Sequence, residues 1–318
     1  MPENYDVIIV GGAAAGLTAA LYASRRNLKT LVIAKALGGQ AVLTPAIENF
    51  PGIKKISGID LMMNFAEHAQ SYGAKIVYET VIKIEKTQED FLIHTANKNV
   101  LRKARAVILA FGLTPKNLNV PGELEFTGKG VSYCATCDAP LYKKKSVAVV
   151  GGTYEALDAA LLFAKQDCDV FLVHDQDNFG VFKKLFAQVQ ENKKIKVYLK
   201  TQVQKIHGHQ VVTSIDVAVD GKAENISVAG VFVEKGHRID SSWLGDLVAR
   251  DKTQSIMINE ECATKTPGLF AAGDVTQQRD KQVIISAGAG ASAALAAYRY
   301  LQKIKGKPAL LVDWQHES

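Results

Sequence analysis

Two closely spaced cysteines, Cys134 and Cys137, are the residues of this sequence best suited to chemistry, and they lie in the stretch 133–138, YCATCD. A Cys-x-x-Cys pair can close a small disulfide ring, and one of its thiols becomes reactive where a neighbouring charge or a helix end favours the thiolate. Zinc binding is the alternative. Zinc normally takes four ligands, and neither a second cysteine pair nor suitably spaced histidines accompany this pair. The pattern therefore favours a redox-active dithiol, and no metal is expected.

The residue that follows the pair, Asp138, is a candidate proton donor. A carboxyl group beside a dithiol can exchange protons with it. Aspartate is also a preferred helix N-cap residue, so capping is the alternative role. Cys168 and Cys262 stand alone and are expected to be buried as small hydrophobic residues. Four cysteines in 318 residues do not form a disulfide framework, which favours a reducing, cytoplasmic setting.

The elements that must position these residues occur as two similar segments, each a strand, a glycine turn and a helix. The first has a strand at 5–10, a turn at 11–16 and a helix at 17–24; the second has a strand at 146–150, a turn at 151–156 and a helix to about 165. Apolar β-branched strands that alternate with helices indicate parallel sheets with crossover helices. The sequence thus predicts an α/β chain with two dinucleotide-binding, Rossmann-like domains.

One of these domains is predicted to be discontinuous. Residues 268–275 have the pattern of a strand that ends in a Gly-Asp turn, and a helix at 286–300 follows them. This arrangement resembles the first segment rather than the second. We therefore expect one domain at 1–115 plus 245–318, with the second domain, which carries the dithiol, inserted at 116–244.

Composition and charge exclude several classes of protein. Hydrophobic residues make up 47% of the chain and charged residues 22%, as in globular proteins. The net charge of +6 is spread along the chain without a basic cluster interleaved with aromatic residues, so nucleic acid is not an expected partner. The longest weakly polar stretch, 284–298, is too short to span a bilayer, and no signal-like segment precedes the first strand. No membrane association is predicted.

The first turn, Gly11-x-Ala13-x-x-Gly16, has the properties of a phosphate-binding loop. Gly11 allows the sharp turn, and Gly16 lets the helix pack closely against the strand. Ala13 replaces the usual second glycine, and its methyl group narrows the approach of a pyrophosphate without closing it. The N-terminus of the helix that follows the turn offers N–H groups and the positive end of the helix dipole to the phosphates. This turn is predicted to bind a dinucleotide.

Further motifs resemble those of low-molecular-weight thioredoxin reductases, and the match in order and spacing runs nearly end to end. They are 38–40 (GGQ), 47–52 (IENFPG), 273–275 (GDV), 281–283 (KQV) and 287–288 (AG). The resemblance implies an enzyme that binds FAD, with Asp274 bonded to the ribityl chain and with Asn49 and Gln282 near the isoalloxazine. The other residues of the predicted FAD site are Gly11, Ala13, Ala15, Gly16, Gly39, Gln40, Gly112, Gly273 and Val283.

The same resemblance assigns roles to the dithiol. It implies that Cys137 lies against the flavin, that Cys134 attacks the substrate disulfide, and that Asp138 is the acid. Electrons would pass from FAD to this pair and then to thioredoxin or a thioredoxin-like protein. The resemblance also implies a homodimer.

The second glycine turn departs from the family pattern. Thr153, which is β-branched, occupies the position where only a small residue lets a pyrophosphate approach. The next strand ends in 174–180, HDQDNFG, where NADPH-dependent members carry three arginines for the ribose 2′-phosphate. Asp175 and Asp177 would repel that phosphate. Asp175 could instead bond a ribose 2′-hydroxyl, which keeps NADH open as a donor.

The electron donor therefore has several candidates. The favoured hypothesis is that the inserted domain binds no nicotinamide and that ferredoxin is the donor, as in ferredoxin-dependent flavin thioredoxin reductases. An NADH- or NADPH-dependent thioredoxin reductase is one alternative, and a non-enzymatic flavin redox sensor is another.

Phe111 replaces a usual threonine and is expected to pack near FAD. Trp314 is expected to pack as part of an ordinary chain end, with cover of a flavin face as the alternative.

Overall fold

The computed structural model describes residues 2–44, 46–98, 100–219 and 221–309, and the side chains of Leu43 and Cys137 lie outside this description. The chain forms two compact units. The first unit comprises the chain up to Leu113 and again from Ile239 onward, and the second unit is Thr114–Arg238.

Strands and helices alternate along much of the described chain. The strands are β1 (Glu3–Gly12), β2 (Thr30–Leu37), β3 (Lys75–Tyr78), β4 (Val81–Lys86), β5 (Phe91–Thr95), β6 (Leu101–Leu109), β7 (Thr114–Pro115), β8 (Val131–Ser132), β9 (Ser146–Val150), β10 (Asp169–Val173), β11 (Ile195–Tyr198), β12 (Thr201–Gly208), β13 (Val212–Val219), β14 (Lys222–Ser227), β15 (Gly230–Val233), β16 (His237–Arg238) and β17 (Leu269–Ala271). The α-helices are α1 (Ala14–Arg25), α2 (Gly58–Ser71), α3 (Ala135–Asp138), α4 (Tyr154–Lys165), α5 (Lys183–Glu191) and α6 (Val283–Ile304).

The sheet of the first unit has the strand order β3-β2-β1-β6-β5-β4, and β17 also pairs with β6. Its centre is parallel, because β1 runs parallel to both β2 and β6. The apolar run from Val7 to Val10 is buried there, as expected for a parallel strand that is covered on both faces. The predicted α/β fold class with Rossmann-like sheets is confirmed.

Small residues bring the first and last helices of the first unit into close contact. Alanines of α1 such as Ala19 and Ala23 share one buried cluster with Ala293 and Ala297 of α6. At Gly290 the approach is closest, since a Cβ atom there would overlap the backbone carbonyl oxygen of Ala15. The helix α6 therefore packs against the beginning of α1, next to the first glycine turn.

The second unit repeats the parallel arrangement and adds an antiparallel sheet. Its parallel sheet has the order β11-β10-β9-β15-β8, and α4 connects β9 to β10. The antiparallel sheet has the order β12-β13-β14. The short strands β7 and β16, which lie at the two ends of this unit, pair with each other. The dithiol sequence lies between β8 and β9, beside the carboxyl end of β15.

The ends of the elements differ from the sequence expectation in places. The strand predicted at 146–150 has those bounds, whereas α1 begins at Ala14, before the predicted 17, because the small residues of the turn are already helical. The last helix spans Val283–Ile304 rather than 286–300. The second unit ends at Arg238, before the predicted residue 244. Within the described residues, no helix is long and apolar enough to cross a membrane.

The contact at Gly290 makes a prediction about stability. Gly290→Ala should destabilise the protein by about 1–3 kcal/mol, because an inserted methyl group must displace the backbone of α1. Gly288→Ala is the matched control in the same helix: no atom lies within 4 Å of the added Cβ, so helix propensity should make it neutral or stabilising by up to ~1 kcal/mol. Thermal unfolding midpoints measure both changes. Equal midpoints for the two variants would contradict the proposed helix contact.

Candidate functional site

In the first glycine turn, two glycines allow backbone segments to lie closer together than a side chain would permit. Gly11 has a φ of +123°, and a Cβ atom there would overlap the carbonyl oxygen of Ala110. A Cβ atom on Gly16 would overlap the carbonyl oxygen of Gly11. The N-cap of α1 is Ala13, whose methyl group cannot accept a hydrogen bond. The first N–H groups of α1 are therefore left for an external acceptor such as a phosphate oxygen.

Two other predicted glycines lie against this turn. A Cβ atom on Gly39 would be 3.0 Å from the Cβ atom of Ala13, and one on Gly273 would be 2.9 Å from that of Ala15. Both glycines have positive φ angles. The structure thus brings together segments that are far apart in sequence around one helix end. Gln40 follows Gly39 in a short 3₁₀ helix, Gly39–Leu43.

Asp274 is held in place by neighbours that the sequence analysis did not assign. Its carboxylate accepts a hydrogen bond of 3.1 Å from the buried hydroxyl of Ser286. The ammonium group of Lys281 donates to the backbone oxygens of Asp274 and Thr276, at 3.0 and 2.9 Å. Desolvation lowers the pKa of Lys281, and Asp274 opposes that shift. Ser286 lies near the start of α6, so its contact depends on how that helix packs and has no local signal.

The two predicted amide residues also meet. The Nδ2 atom of Asn49 donates to Oε1 of Gln282 at 3.0 Å, which joins positions 233 residues apart. Gln282 is the N-cap residue of α6, and Val283 is the first residue of that helix. The pair therefore lies at the N-terminus of α6.

The aromatic residue expected near the cofactor has a protein neighbour. The ring of Phe111 lies 5.3 Å from that of Trp243, measured between centroids, and the indole N–H of Trp243 donates to the carbonyl oxygen of Asp240. Trp243 was not predicted from the sequence. Gly112, the next residue after Phe111, has a φ of +66°. Trp314 lies outside the described residues.

In the second unit, Cys134 lies directly before α3. It is partly buried and disulfide-bonded. The hydroxyl of Ser132 accepts a hydrogen bond of 3.0 Å from the Cys134 N–H and donates to the Cys134 carbonyl oxygen at 3.3 Å. The backbone of Cys134 is thus fixed by its own loop. The side chain of Cys137 lies outside the described residues.

The two other cysteines differ from Cys134. Cys168 and Cys262 are free and buried, as expected from the sequence. Burial raises the pKa of each thiol, which keeps both in the unreactive protonated form. Among the described residues, no group of three or more His, Cys, Asp or Glu side chains is arranged to hold a metal ion. Cys134 therefore differs from the other two in its disulfide bond and its partial exposure.

Asp138 is the last residue of α3 and stands at the N-cap position of the following 3₁₀ helix, Ala139–Tyr142. Its side chain makes no capping hydrogen bond there, so the structure does not support the capping alternative. Burial chiefly raises the pKa of Tyr142, and the Asp138 carboxylate adds to that shift. The carboxyl group is therefore one residue from Cys137 and is not used as a cap.

The residue before Cys134 is anchored by a carboxylate that the sequence analysis missed. The hydroxyl of Tyr133 donates to Glu123 at 2.9 Å, and burial together with this carboxylate raises the pKa of Tyr133 to about 12. Glu123 is only 1% exposed, and it also accepts the N–H groups of Leu118 and Asn119, each at 2.7 Å. A buried carboxylate needs such partners. It ties the dithiol loop to the chain that enters the second unit.

A second missed carboxyl group, that of Glu234, reaches the other side of the dithiol. It follows β15 directly, is partly buried, and accepts the N–H of Ala135 at 3.2 Å. Burial raises the pKa of Glu234 to about 7, Glu155 adds to the rise, and the Ala135 N–H opposes it. An acidic residue directly after the buried run 230–233 was the available sequence signal.

The second glycine turn is closed by its own residues. The hydroxyl of Thr153 accepts the N–H of Ala156 at 3.3 Å, which caps α4, and it donates to the carbonyl oxygen of Glu234 at 3.0 Å. A Cβ atom on Gly152 would overlap the ring of His174. The second turn therefore has a side-chain cap on its helix, whereas the first turn has none because its N-cap residue is an alanine.

The end of β10 carries the acidic residues expected from the sequence. His174 is buried, and its Nε2 atom lies 3.1 Å from the carbonyl oxygen of Asn178. Asp175 is exposed and lies 3.8 Å from the ammonium group of Lys235. Asp177 is also exposed. The edge where a ribose phosphate would be bound thus presents two carboxylates.

An uncapped glycine turn in one Rossmann-like unit and a disulfide at a helix start in the other are typical of a dinucleotide-binding disulfide oxidoreductase. The sequence profile of the pyridine nucleotide-disulphide oxidoreductase family matches residues 5–294. The chain belongs to this family and is an FAD-dependent oxidoreductase of the thioredoxin reductase type. The glycine cradle of the first unit fits FAD, which supplies two-electron redox chemistry when bound.

Relatives of known sequence support this assignment. Thioredoxin reductase from Treponema pallidum (strain Nichols) is 39% identical over 310 residues, which cover 96% of this chain and 100% of that protein. NADH dehydrogenase from Bacillus subtilis (strain 168) is 37% identical over 302 residues, which cover 94% of this chain. The chain spans only 59% of the length of that second relative.

Solved structures show the same fold. Thioredoxin reductase from Lactococcus lactis aligns with a TM-score of 0.76 at 30% identity, covering 94% of this chain and 99% of that one. A ferredoxin-flavin thioredoxin reductase from Clostridium acetobutylicum aligns with a TM-score of 0.55 at 30% identity, covering 96% of this chain and 100% of that one.

The raised pKa of Glu234 predicts a pH-dependent stability. The pKa of Glu234 is about 7 in the folded protein, whereas the pKa of an unperturbed glutamate carboxyl group is 4.5. The folded protein therefore loses stability as the pH rises between those two values, because the unfolded chain releases the proton first. Glu234→Gln keeps an acceptor for Ala135 without the charge. It should therefore stabilise the protein more at pH 8 than at pH 5, by at most about 3 kcal/mol at ~1.4 kcal/mol per pKa unit. Urea unfolding at both pH values measures this, and a pH-independent difference would contradict the raised pKa.

Proposed function

We propose that this enzyme reduces the disulfide of thioredoxin or a thioredoxin-like protein through Cys134 and Cys137, with electrons supplied by its FAD, and that its electron donor is not NADPH. The observation that carries the second half of this proposal is the hydroxyl of Thr153, which caps α4 where a nicotinamide dinucleotide would place its pyrophosphate. Ferredoxin is the proposed donor.

The first unit is proposed to hold the FAD with the residues that meet around α1 and α6. Gly11, Gly16 and the uncapped first turn of α1 would receive the pyrophosphate. Asp274, oriented by Ser286, would bond the ribityl hydroxyls. The amides of Asn49 and Gln282 would lie at the ring system. The remaining proposed cofactor residues are Ala13, Ala15, Gly39, Gln40, Gly112, Gly273 and Val283.

The roles proposed for the two cysteines are those that the family resemblance implies, and the exposure and neighbours of Cys134 support its part. Cys134 is the exchange thiol, because it is partly exposed and its backbone is fixed by Ser132. A thiolate at this position attacks one sulfur of the substrate disulfide, forms a mixed disulfide and expels the other sulfur as a thiolate. Cys137 is proposed to face the flavin. Asp138 is proposed to supply the proton that a departing thiolate needs.

Steric and electrostatic effects in the second unit both disfavour the binding of NADPH. The hydroxyl of Thr153 already caps the N–H of Ala156 at the start of α4, so a pyrophosphate bound to that N–H would have to displace the hydroxyl. The ring of His174 lies against Gly152 in the same turn. Asp175 and Asp177 add negative charge where a 2′-phosphate needs cations. Each effect disfavours the same ligand.

Two neighbours in fold and sequence bear on the donor. The Clostridium acetobutylicum protein is a ferredoxin-flavin thioredoxin reductase, which supports ferredoxin as the donor here. The Bacillus subtilis relative is an NADH dehydrogenase, and Asp175 stands where an acid could bond a ribose 2′-hydroxyl, so NADH is the second candidate. The Thr153 cap weighs against NADH as well. A homodimer and a cytoplasmic location are proposed on the family resemblance and the cysteine usage.

The donor can be tested by following the flavin absorbance. Under anaerobic conditions, photoreduced ferredoxin should bleach the oxidised flavin band rapidly. NADPH should bleach the band at least ~100-fold more slowly at equal concentration, because the second unit offers it neither an open turn for the pyrophosphate nor cations for the 2′-phosphate. NADH is the third arm of the experiment. Rapid bleaching by micromolar NADPH would overturn the interpretation of Thr153 and the two aspartates.

The role of Cys134 can be tested by substitution. Cys134→Ser should retain bound FAD but lose thioredoxin disulfide reduction by at least about 1000-fold, because a hydroxyl does not replace a thiolate in disulfide exchange. Insulin reduction coupled to thioredoxin measures the activity. Cys262→Ala, at a buried cysteine with a raised pKa, is the control and should keep it. Wild-type flavin reduction without any thioredoxin turnover, whatever the donor, would favour the redox-sensor alternative.

A further inference from the structure

The carboxyl group of Glu234 connects the dithiol to the closed second turn. Its side chain accepts the N–H of Ala135, the atom that belongs to the peptide bond of Cys134, at 3.2 Å. The backbone carbonyl oxygen of Glu234 accepts a hydrogen bond from the hydroxyl of Thr153, and its backbone N–H donates to the carbonyl oxygen of Val150 at 2.8 Å. The backbone of Glu234 is therefore held on both sides. Its side chain is fixed one peptide unit from the proposed exchange cysteine.

The charged side chain that acts on Glu234 is itself a carboxylate, that of Glu155. Glu155, on the first turn of α4, raises the pKa of Glu234 further beyond the effect of burial. Asp138 lies on the same short helix as Ala135. The nearest cation along the chain, Lys235, lies 3.8 Å from Asp175, at the end of β10, where His174 is also found. A negative charge on Glu234 is thus poorly compensated, which favours a bound proton.

We propose that Glu234 is a positioning residue for the dithiol, whose carboxyl group orients the peptide bond of Cys134 and whose charge sets how readily Cys134 forms a thiolate. This inference rests on the proposed exchange role of Cys134. The two negative charges repel each other across one peptide unit. A thiolate on Cys134 therefore favours the protonated carboxyl group, and an ionised carboxylate favours the protonated thiol.

The proton balance of the dithiol follows from this coupling. Reduction of the Cys134 disulfide by two electrons, which dithiothreitol supplies in the test below, breaks the S–S bond and leaves two negative charges on sulfur. One proton converts one sulfur to a thiol, and the other sulfur stays a thiolate. Where Glu234 is ionised before reduction, the second proton binds to its carboxylate, so the site takes up two electrons and two protons together. Where Glu234 is already protonated, the second proton stays in the solvent. Asp138 is not required for this second proton.

The test is the rate at which iodoacetamide alkylates Cys134 in the full-length, FAD-containing protein after reduction with dithiothreitol. The modified peptide is quantified by mass spectrometry between about pH 5.5 and 8.5, a range that brackets the pKa of about 7. Glu234→Gln should alkylate about three to ten times faster than wild type above pH 7, where the wild-type carboxylate is charged. Below about pH 6 the two rates should converge.

The matched control is Glu191→Gln, which makes the same charge change at an exposed residue at the end of α5. It should follow the wild-type profile at every pH. Identical profiles for Glu234→Gln and Glu191→Gln would overturn the proposal. Slower alkylation of Glu234→Gln at all pH values would overturn it too, since that result would reflect a displaced loop rather than a removed charge.

A second measurement needs no variant. The wild-type alkylation rate should rise with pH less steeply near pH 7 than the titration of a single thiol requires, because Glu234 ionises there and suppresses the thiolate. A profile that fits one thiol throughout would contradict the coupling. Because the protein is reduced by dithiothreitol, and neither ferredoxin, a nicotinamide nor thioredoxin is present, this outcome is independent of whether ferredoxin supports turnover. Failure of the proposed function would appear in turnover alone.

Discussion

The N–H groups at the start of a helix must be bonded to something, and the two Rossmann-like units meet this requirement in different ways. In the first unit the N-cap residue is Ala13, so the helix end stays open for a phosphate. In the second unit the Thr153 hydroxyl bonds Ala156 and closes the end. The same strand–turn–helix element therefore has an uncapped helix start in one unit and a side-chain cap in the other.

The dithiol depends on contacts from outside its own loop. Glu123 fixes Tyr133 on one side, and Glu234 bonds the N–H of Ala135 on the other. Ser132 supplies the local hydrogen bonds to Cys134. Buried or partly buried carboxyl groups are costly unless they are bonded, so their presence here indicates that the geometry of this loop is under constraint. The environment is negative, which ties thiol chemistry to proton binding.

The sequence predicted the parallel sheets, the two glycine turns and the buried state of Cys168 and Cys262, because these follow from local patterns of apolar residues and small residues. It also pointed to Asn49 and Gln282, which the structure joins by a hydrogen bond. It did not reveal Ser286, Trp243 or the two glutamates, since each acts through a partner that is distant in sequence. Glu234, for example, bonds a residue 99 positions earlier. The roles assigned to individual site residues remain predictions.

The contact between α1 and α6 has a consequence for the order of folding. During synthesis α1 emerges near the start and α6 only near the end of the described chain, yet Gly290 must lie against the backbone of Ala15. The second unit, Thr114–Arg238, is contiguous and can acquire its own core in the meantime. The first unit therefore cannot complete its core until α6 has left the ribosome, and the alanine-rich face of α1 stays uncovered until then.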